Sequence, residues 1–200
     1  MILVGLTGGV ATGKTTVAKM FRRCGAVVID ADRLAREAVR PGKPAWRAIV
    51  RTFGKGVLNP DRTIDRHALG AIVFHDMNKL RRLERIIHPR VAREQARLTT
   101  QAARQDPNVV VIYDVPLLFE AGIDKRVDKI IVVTASRETQ VTRLKTRRGL
   151  TRPEAVRRIR SQIPLAEKVR RADFVLRGTL TPASLRQAVQ SVMGALRVSP

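Results

Sequence analysis

The first seventeen residues constrain this chain more than any other stretch of its sequence. They read MILVGLTGGVATGKTTV: a short apolar run leads into a glycine-rich turn, and a helical pattern begins at Lys14. The turn contains Gly8-x-x-x-x-Gly13-Lys14-Thr15, which satisfies every fixed position of the motif G-x-x-x-x-G-K-[ST]. This order of strand, loop and helix is typical of a loop that binds the phosphates of a nucleotide.

The chemistry of phosphate binding explains the residue types in this loop. Successive backbone N–H groups can curl around phosphate oxygens only where side chains leave room, and the following helix adds the positive end of its dipole. We expect Lys14 to contact the β- and γ-phosphates, Thr15 to place its hydroxyl on Mg²⁺, and Thr16 to donate toward the α-phosphate. The predicted nucleotide-binding residues are Gly8, Gly9, Ala11, Thr12, Gly13, Lys14, Thr15 and Thr16.

Two aspartates follow the second predicted strand. The apolar run Ala26 to Ile29 ends in Asp30-Ala31-Asp32, and functional groups commonly lie at the carboxyl ends of parallel strands. One of the two aspartates could instead cap the helix predicted over Arg33 to Val39. Asp30 is the better placed for that cap, which leaves Asp32 free for chemistry.

Asp114 ends the third predicted strand, Val109 to Tyr113. An apolar strand that finishes in aspartate is typical of the segment that holds Mg²⁺ beside a nucleotide. A carboxylate at a strand end also occurs in purely solvated positions, and the residues alone leave both interpretations open. We predict Thr15 and Asp114 as the metal ligands.

Strands and helices alternate along the chain, which predicts an α/β fold with a doubly wound, five-stranded parallel sheet. Two further apolar runs, Lys129–Val133 and Phe174–Leu176, complete the strands. A long helix is predicted from Asp76 toward Gln105, and it must break or kink at His88-Pro89 because proline lacks an N–H donor. The caps predicted for the later helices are Ser136, Gly149 and the capping box Thr151-x-x-Glu154.

The chain is strongly basic, with 39 lysine and arginine residues against 17 acidic ones and a formal net charge of +22. Nucleic-acid-binding proteins usually add exposed aromatic side chains or a recognition fold, whereas aromatics are only 4% here and no such motif occurs. The sequence therefore disfavours a nucleic-acid partner and leaves the cause of the charge open. Within the basic region Arg137 to Arg171, Arg143 and Arg147 share a helix face. We predict that this pair converges on a transferred phosphoryl group beneath a closing lid.

The sequence predicts neither membrane insertion nor secretion. It has no run of about 18 apolar residues, and it starts with a strand rather than a basic, cleavable leader. Cys24 is the only cysteine, so an intrachain disulfide and a thiolate metal cluster are excluded. We expect a cytoplasmic protein without a membrane partner, and its oligomeric state is not predicted.

A series of short motifs that spans nearly the whole chain resembles the dephospho-CoA kinase family. The motifs are Gly5-Leu6-Thr7-Gly8-Gly9-Val10, Gly13-Lys14-Thr15-Thr16-Val17-Ala18, Asp30-Ala31-Asp32 with Ala35-Arg36 and Val39, Pro41-Gly42, Phe53-Gly54, Leu58, Asp65-Arg66 with Leu69, His88-Pro89, Pro116-Leu117-Leu118-Phe119-Glu120, Gln162, and Ala172-Asp173. The resemblance implies transfer of the γ-phosphoryl group of ATP, with Mg²⁺, to the ribose 3′-hydroxyl of dephospho-CoA. This is the last step of coenzyme A synthesis.

The resemblance also implies roles for individual residues. Asp32 falls on the carboxylate that acts as the base, Lys14 on the lysine of the phosphate loop, and Arg143 and Arg147 on lid arginines that contact ATP. Thr7, Arg66 and His88 become acceptor-side residues together with Asp32. The implied architecture is a P-loop kinase: a core of about residues 1–32, 107–136 and 172–200, a helical CoA-binding insert of about 33–106, and a lid of about 137–171.

The chain departs from the family pattern in two places of interest. Arg62 stands where the family usually has glycine, and Leu176-Arg177-Gly178-Thr179 lacks the acidic residue and asparagine usual near the adenine. Two other functions remain open at this point: another small-molecule or nucleoside-monophosphate kinase, and a nucleic-acid-binding NTPase. A catalytically silent scaffold is disfavoured, since Lys14, Thr15 and Asp32 are all present.

Overall fold

The computed structural model describes residues 1–198, and the chain divides into two compact units. The first unit comprises Met1–Ile29 and Thr99–Pro200, and the second comprises Asp30–Leu98. The first unit carries the sheet, while the second is built from helices.

The sheet has the five strands that the sequence predicts. They are β1 (Ile2–Gly8), β2 (Val27–Asp30), β3 (Val110–Asp114), β4 (Lys129–Thr134) and β5 (Phe174–Arg177). Their order is β2-β3-β1-β4-β5, and β1 pairs in parallel with both β3 and β4, as β4 does with β5. Because the chain winds from the central β1 to both edges, the predicted doubly wound parallel fold is confirmed.

The strands are continuous apolar runs because both faces of this sheet are covered. All five residues of β3 are buried, and helices α1 (Lys14–Arg23) and α9 (Pro182–Val198) pack on the same core cluster. Phe21 of α1 is fully buried there. The other helices of the first unit are α6 (Arg137–Arg148), α7 (Arg152–Arg160) and α8 (Leu165–Arg170).

The predicted caps are confirmed. The Ser136 hydroxyl accepts a hydrogen bond from the Thr139 N–H at the start of α6, and Gly149 ends that helix with a φ of 64°. Thr151 and Glu154 form a complete capping box on α7. Helix α8, six residues long, was not predicted, because its sequence blends into the basic region around it.

The second unit consists of α2 (Ala31–Ala38), α3 (Pro44–Phe53), α4 (Arg66–Val73) and the larger part of α5 (Met77–Gln105). Its own small core is formed by side chains from α3, α4 and the turn between them, with partly buried side chains of α5 packed around it. The buried members of this core are Ile49, Val57, Leu69 and Val73.

Of the two predicted outcomes at His88-Pro89, a break does not occur, because helix α5 continues through Pro89. The kink stays a prediction. Proline removes one backbone hydrogen bond and crowds the preceding turn. Next to the proline, the Arg90 guanidinium donates a further hydrogen bond to the carbonyl of Ile86, one turn earlier.

Arg62 adopts the backbone conformation that the family's glycine would take freely. Its φ is 66°, in the left-handed region that non-glycine residues rarely occupy. The turn is held by the Arg62 N–H, which donates to the Asn59 carbonyl at 2.9 Å, and by the Trp46 indole N–H, which donates to the Arg62 carbonyl at 2.8 Å. The departure from glycine therefore leaves a left-handed turn in place.

Candidate active site

The phosphate loop joins β1 to α1 and leaves the start of that helix open. Gly13 occupies the N-cap position with a φ of 106°, and no side chain caps the helix. By contrast, Asp65 and Ser136 cap α4 and α6 through their side chains. The uncapped N–H groups and the helix dipole of α1 are thus available to an anion.

Hydrogen bonds within the loop fix its shape. The Thr12 side chain is fully buried, and its hydroxyl donates to the Gly9 carbonyl at 2.8 Å. Ala11 has a φ of 59°, which is uncommon for a residue with a side chain. These two residues, which the sequence placed among the nucleotide-binding residues, shape the loop in this structure.

Arg143 and Gly178 hold the loop from the side of β5. The Arg143 guanidinium donates to the Ala11 carbonyl at 3.1 Å and to the Gly178 carbonyl at 2.9 Å. A Cβ atom on Gly178 would lie 1.9 Å from the Thr12 carbonyl oxygen, so only glycine fits there. The departure noted at residues 176–179 therefore includes a glycine that the loop requires.

Lys14 forms an ion pair with Asp114 at the end of β3. Both side chains are largely buried, with 16% of Lys14 and 9% of Asp114 exposed. A hydroxyl from the exposed Thr15 and the carboxylate of Asp114 are oxygen donors of the kind that Mg²⁺ prefers. The donor set and the glycine-lined cradle thus fit a magnesium-bound triphosphate.

The predicted pairing of Arg143 with Arg147 is not seen. Arg143 is half-buried against the loop, whereas Arg147, one turn later on α6, is exposed. In the part of the chain from residue 1 to 198, no hydrogen bond or ion pair of the Arg147 side chain is seen. Its contact with ATP stays a prediction.

In the second unit, Asp30 and Asp32 have the different positions that the sequence predicts. The Asp30 side chain caps α2 by accepting a hydrogen bond from the Arg33 N–H at 2.9 Å. Asp32 lies in the first turn of α2, exposed and not used as the cap. Its carboxylate is therefore free for another role.

Asp32 and Arg66 line the same cavity of about 420 Å³ in the second unit. Arg36 is a third charged residue of its wall, and the remainder is mostly apolar. The apolar lining comes from Val39, Ile49, Ile64, Leu69, Val73, Phe74, Leu80, Leu83 and Ile87.

His88 and Thr7 lie elsewhere. His88 lines a separate, basic cavity of about 760 Å³ along α5, together with Arg81 and Arg85. Thr7 is fully buried in β1, and its hydroxyl donates to the Pro116 carbonyl at 3.1 Å. Of the four predicted acceptor-side residues, the structure brings only Asp32 and Arg66 into one cavity.

The sequence did not predict that Gly178 and Gln140 are part of the site. The buried Gln140 lies against the loop: a Cβ on Gly9 would be 2.9 Å from its side-chain oxygen. Both residues are far from the loop in sequence. The sequence carries one signal for Gln140, which is that a polar residue stands on the apolar face of α6.

Comparison with known proteins decides the family. A sequence model described as dephospho-CoA kinase matches residues 2–181. The chain belongs to the dephospho-CoA kinase family. A dephospho-CoA kinase from Geobacter metallireducens is 54% identical over 182 residues, which cover 90% of each chain. One from Geobacter sulfurreducens is 47% identical over 192 residues, or 96% of this chain and 97% of the relative.

A crystal structure from Thermus thermophilus superposes with a TM-score of 0.83 at 34% identity, covering 100% of this chain and 98% of the other. The predicted family and kinase activity are thus confirmed, and neither alternative function finds support. Among the helices of residues 1–198, none combines the length and apolar character needed to cross a membrane.

Proposed function

We propose that this dephospho-CoA kinase works by direct transfer, with Asp32 as the base that accepts the proton of the ribose 3′-hydroxyl. The observation that carries the proposal is the position of Asp32: an exposed carboxylate, not consumed by helix capping, on the wall of a largely apolar cavity. In the reaction, the hydroxyl oxygen bonds to the γ-phosphorus, the bond from that phosphorus to the bridging oxygen breaks, and ADP leaves.

The donor side of the reaction belongs to the phosphate loop. Its backbone N–H groups and the open end of α1 bind the phosphates of ATP, and Lys14 exchanges its Asp114 partner for phosphate oxygens. Thr15 and Asp114 would hold Mg²⁺, which neutralises phosphate charge when bound. Arg143 keeps the loop in shape and is positioned to contact the nucleotide.

The acceptor side belongs to the cavity that carries Asp32. Its volume of about 420 Å³ lies within the usual range for small-molecule sites, and its apolar wall suits the long pantetheine arm of dephospho-CoA. Arg36 and Arg66 supply charge for the phosphates of the acceptor. We further propose acceptor contacts for Thr7 and His88, and a lid of about residues 137–171 that excludes water as it closes.

We further propose that the protein acts in the cytoplasm, where ATP and dephospho-CoA are available. The proposed assignment requires both molecules to reach the chain together with Mg²⁺, and each is a water-soluble metabolite. No partner beyond these small molecules enters the proposal.

An acceptor panel tests the proposed function. The chain is mixed with Mg·ATP and, separately, with dephospho-CoA, AMP, dCMP or shikimate, and the position of the new phosphate is read by ³¹P NMR. We expect kcat/KM for dephospho-CoA to exceed that for the others by at least about 100-fold, because the other acceptors would leave the apolar wall unfilled and the charged groups of the cavity unpaired. Preferential turnover of another acceptor, or phosphate at a different hydroxyl, would contradict it.

A further inference from the structure

Gln162 connects the phosphate loop to the segment that follows α7. Its side-chain oxygen accepts a hydrogen bond from the backbone N–H of Val10 at 3.0 Å. The Val10 side chain packs on the apolar cluster that α6 and α7 form around the buried Leu144 and Ala155. The front of the loop is therefore attached to these helices by both apolar contact and a hydrogen bond.

An ion pair between the buried Lys168 and the partly exposed Glu120 fixes the backbone next to Gln162. The N–H of Ile163 donates to a carboxylate oxygen of Glu120 at 3.1 Å, and the same oxygen lies 2.7 Å from the ammonium of Lys168. Lys168 is fully buried, and a buried ammonium is costly unless an anion accompanies it. In residues 1–198 Glu120 is its ion-pair partner, and no other hydrogen-bond acceptor reaches it.

A second contact supports the same junction. Arg171, just after α8, forms an ion pair with Asp124 at 2.6 Å, and its guanidinium lies 4.2 Å from the centre of the Phe119 ring. The turn after β3 and the segment around α8 are thus joined at two points. This turn follows Asp114, the predicted metal ligand, directly in sequence.

We propose that Gln162 is a positioning residue for phosphoryl transfer, held in place by the Glu120–Lys168 ion pair through the backbone of Ile163. It keeps the Val10 N–H, and with it the front of the phosphate loop, in the arrangement that receives the nucleotide. The other N–H groups of the loop, held ready in this way, cost no rearrangement when the phosphates arrive. The inference rests on the nucleotide-binding role of the loop given under Proposed function.

Replacing the acceptor of this hydrogen bond tests the proposal. Gln162→Met keeps the length of the side chain and removes its oxygen, and Gln190→Met makes the same change at an exposed position of α9. We expect Gln162→Met to raise the KM for ATP about three- to tenfold, the usual effect of losing one hydrogen bond, and to leave the KM for dephospho-CoA unchanged. An unchanged KM for ATP, or an equal effect of Gln190→Met, would overturn the proposal.

Amide hydrogen exchange of Val10, measured without ATP, separates this proposal from the proposed function. The Val10 N–H should exchange faster in Gln162→Met, while Gln162→Glu, which keeps an acceptor oxygen, should restore its protection. Unchanged exchange in Gln162→Met would overturn the positioning role, whatever the enzyme phosphorylates.

The contribution of the ion pair is tested by replacing both partners at once. Glu120→Met with Lys168→Met removes both charges and the oxygen that accepts from the Ile163 N–H, so no buried charge is left unpaired and the chain should fold. We expect this double variant to raise the KM for ATP and to speed Val10 exchange, and we expect Gln162→Met added to it to change little more. Fully additive effects would show that the ion pair does not act through Gln162.

Discussion

Gly178 makes the closest approach between the end of β5 and the phosphate loop. We predict that Gly178→Ala lowers the free energy of unfolding by about 1–3 kcal/mol and weakens ATP binding, because the new Cβ must displace the backbone of Thr12. Gly194→Ala is the matched control: among residues 1–198, a Cβ added to Gly194 on α9 would have no neighbour within 4 Å outside the backbone of its own helix, and alanine favours a helix by up to about 1 kcal/mol. Chemical denaturation measures the free energy of unfolding of each variant, and titration with ATP measures its affinity. Equal effects of the two substitutions would contradict the role given to Gly178.

At the level of single residues, the sequence predicted those features that depend only on neighbouring residues. Asp30 caps α2 and leaves Asp32 free, since a cap depends only on neighbouring residues. The contacts of Arg143 with Ala11 and of Gln162 with Val10 join residues 132 and 152 positions apart. No motif or periodicity records such pairs, which explains why no role was predicted for Gln162.

The start of α7 and its junction with α6 depend on two ionised glutamates. Hydrogen bonds from Thr151 hold the pKa of Glu154 below its ordinary value of 4.5, and the guanidinium of Arg152 does the same for the pKa of Glu138. A carboxyl whose pKa is lowered in the folded state stabilises it above pH 4.5, and this contribution is lost as the pH falls through the folded-state pKa.

We therefore predict that Glu138→Gln with Glu154→Gln lowers Tm at about pH 7, and that the difference from the unmodified chain shrinks as the pH falls below 4.5. Glu167→Gln on α8 serves as the control, since no hydrogen bond or ion pair of its side chain is seen within residues 1–198. Thermal unfolding followed by circular dichroism across this range is the measurement. A Tm difference that does not decrease as the pH falls below 4.5 would contradict the prediction.

At the level of elements, strands and capped helices followed from the sequence, whereas two helical features did not. The apolar strands and the caps at Ser136 and Thr151 are local signals, and the structure places β2 to β5 and these caps within one residue of the prediction. Strand β1 is longer, since it extends to Gly8 beyond the apolar run that ends at Val4. Helix α8 lacks a side-chain cap. Helix α5 continues through Pro89 although proline has a low helix propensity. In a helix of 29 residues, the low propensity of this one residue was not enough to end the helix.

In the whole molecule, the residues proposed for donor and acceptor belong to different units. Lys14, Asp114 and Arg143 lie in the first unit, and Asp32 and Arg66 lie in the second. This division predicts that nucleotide binding and phosphoryl transfer can be separated by substitution. A substitution of Asp32 should leave nucleotide binding unchanged and abolish most of the phosphoryl transfer.

The most direct measurement is therefore the turnover and ATP affinity of Asp32→Asn beside Asp61→Asn, the same substitution at an exposed position of the second unit outside the cavity. We predict that Asp32→Asn binds ATP within about twofold of the unmodified chain and loses about two to four orders of magnitude in kcat with dephospho-CoA, while Asp61→Asn retains turnover. If Asp32→Asn phosphorylates dephospho-CoA at the unmodified rate, Asp32 is not the base.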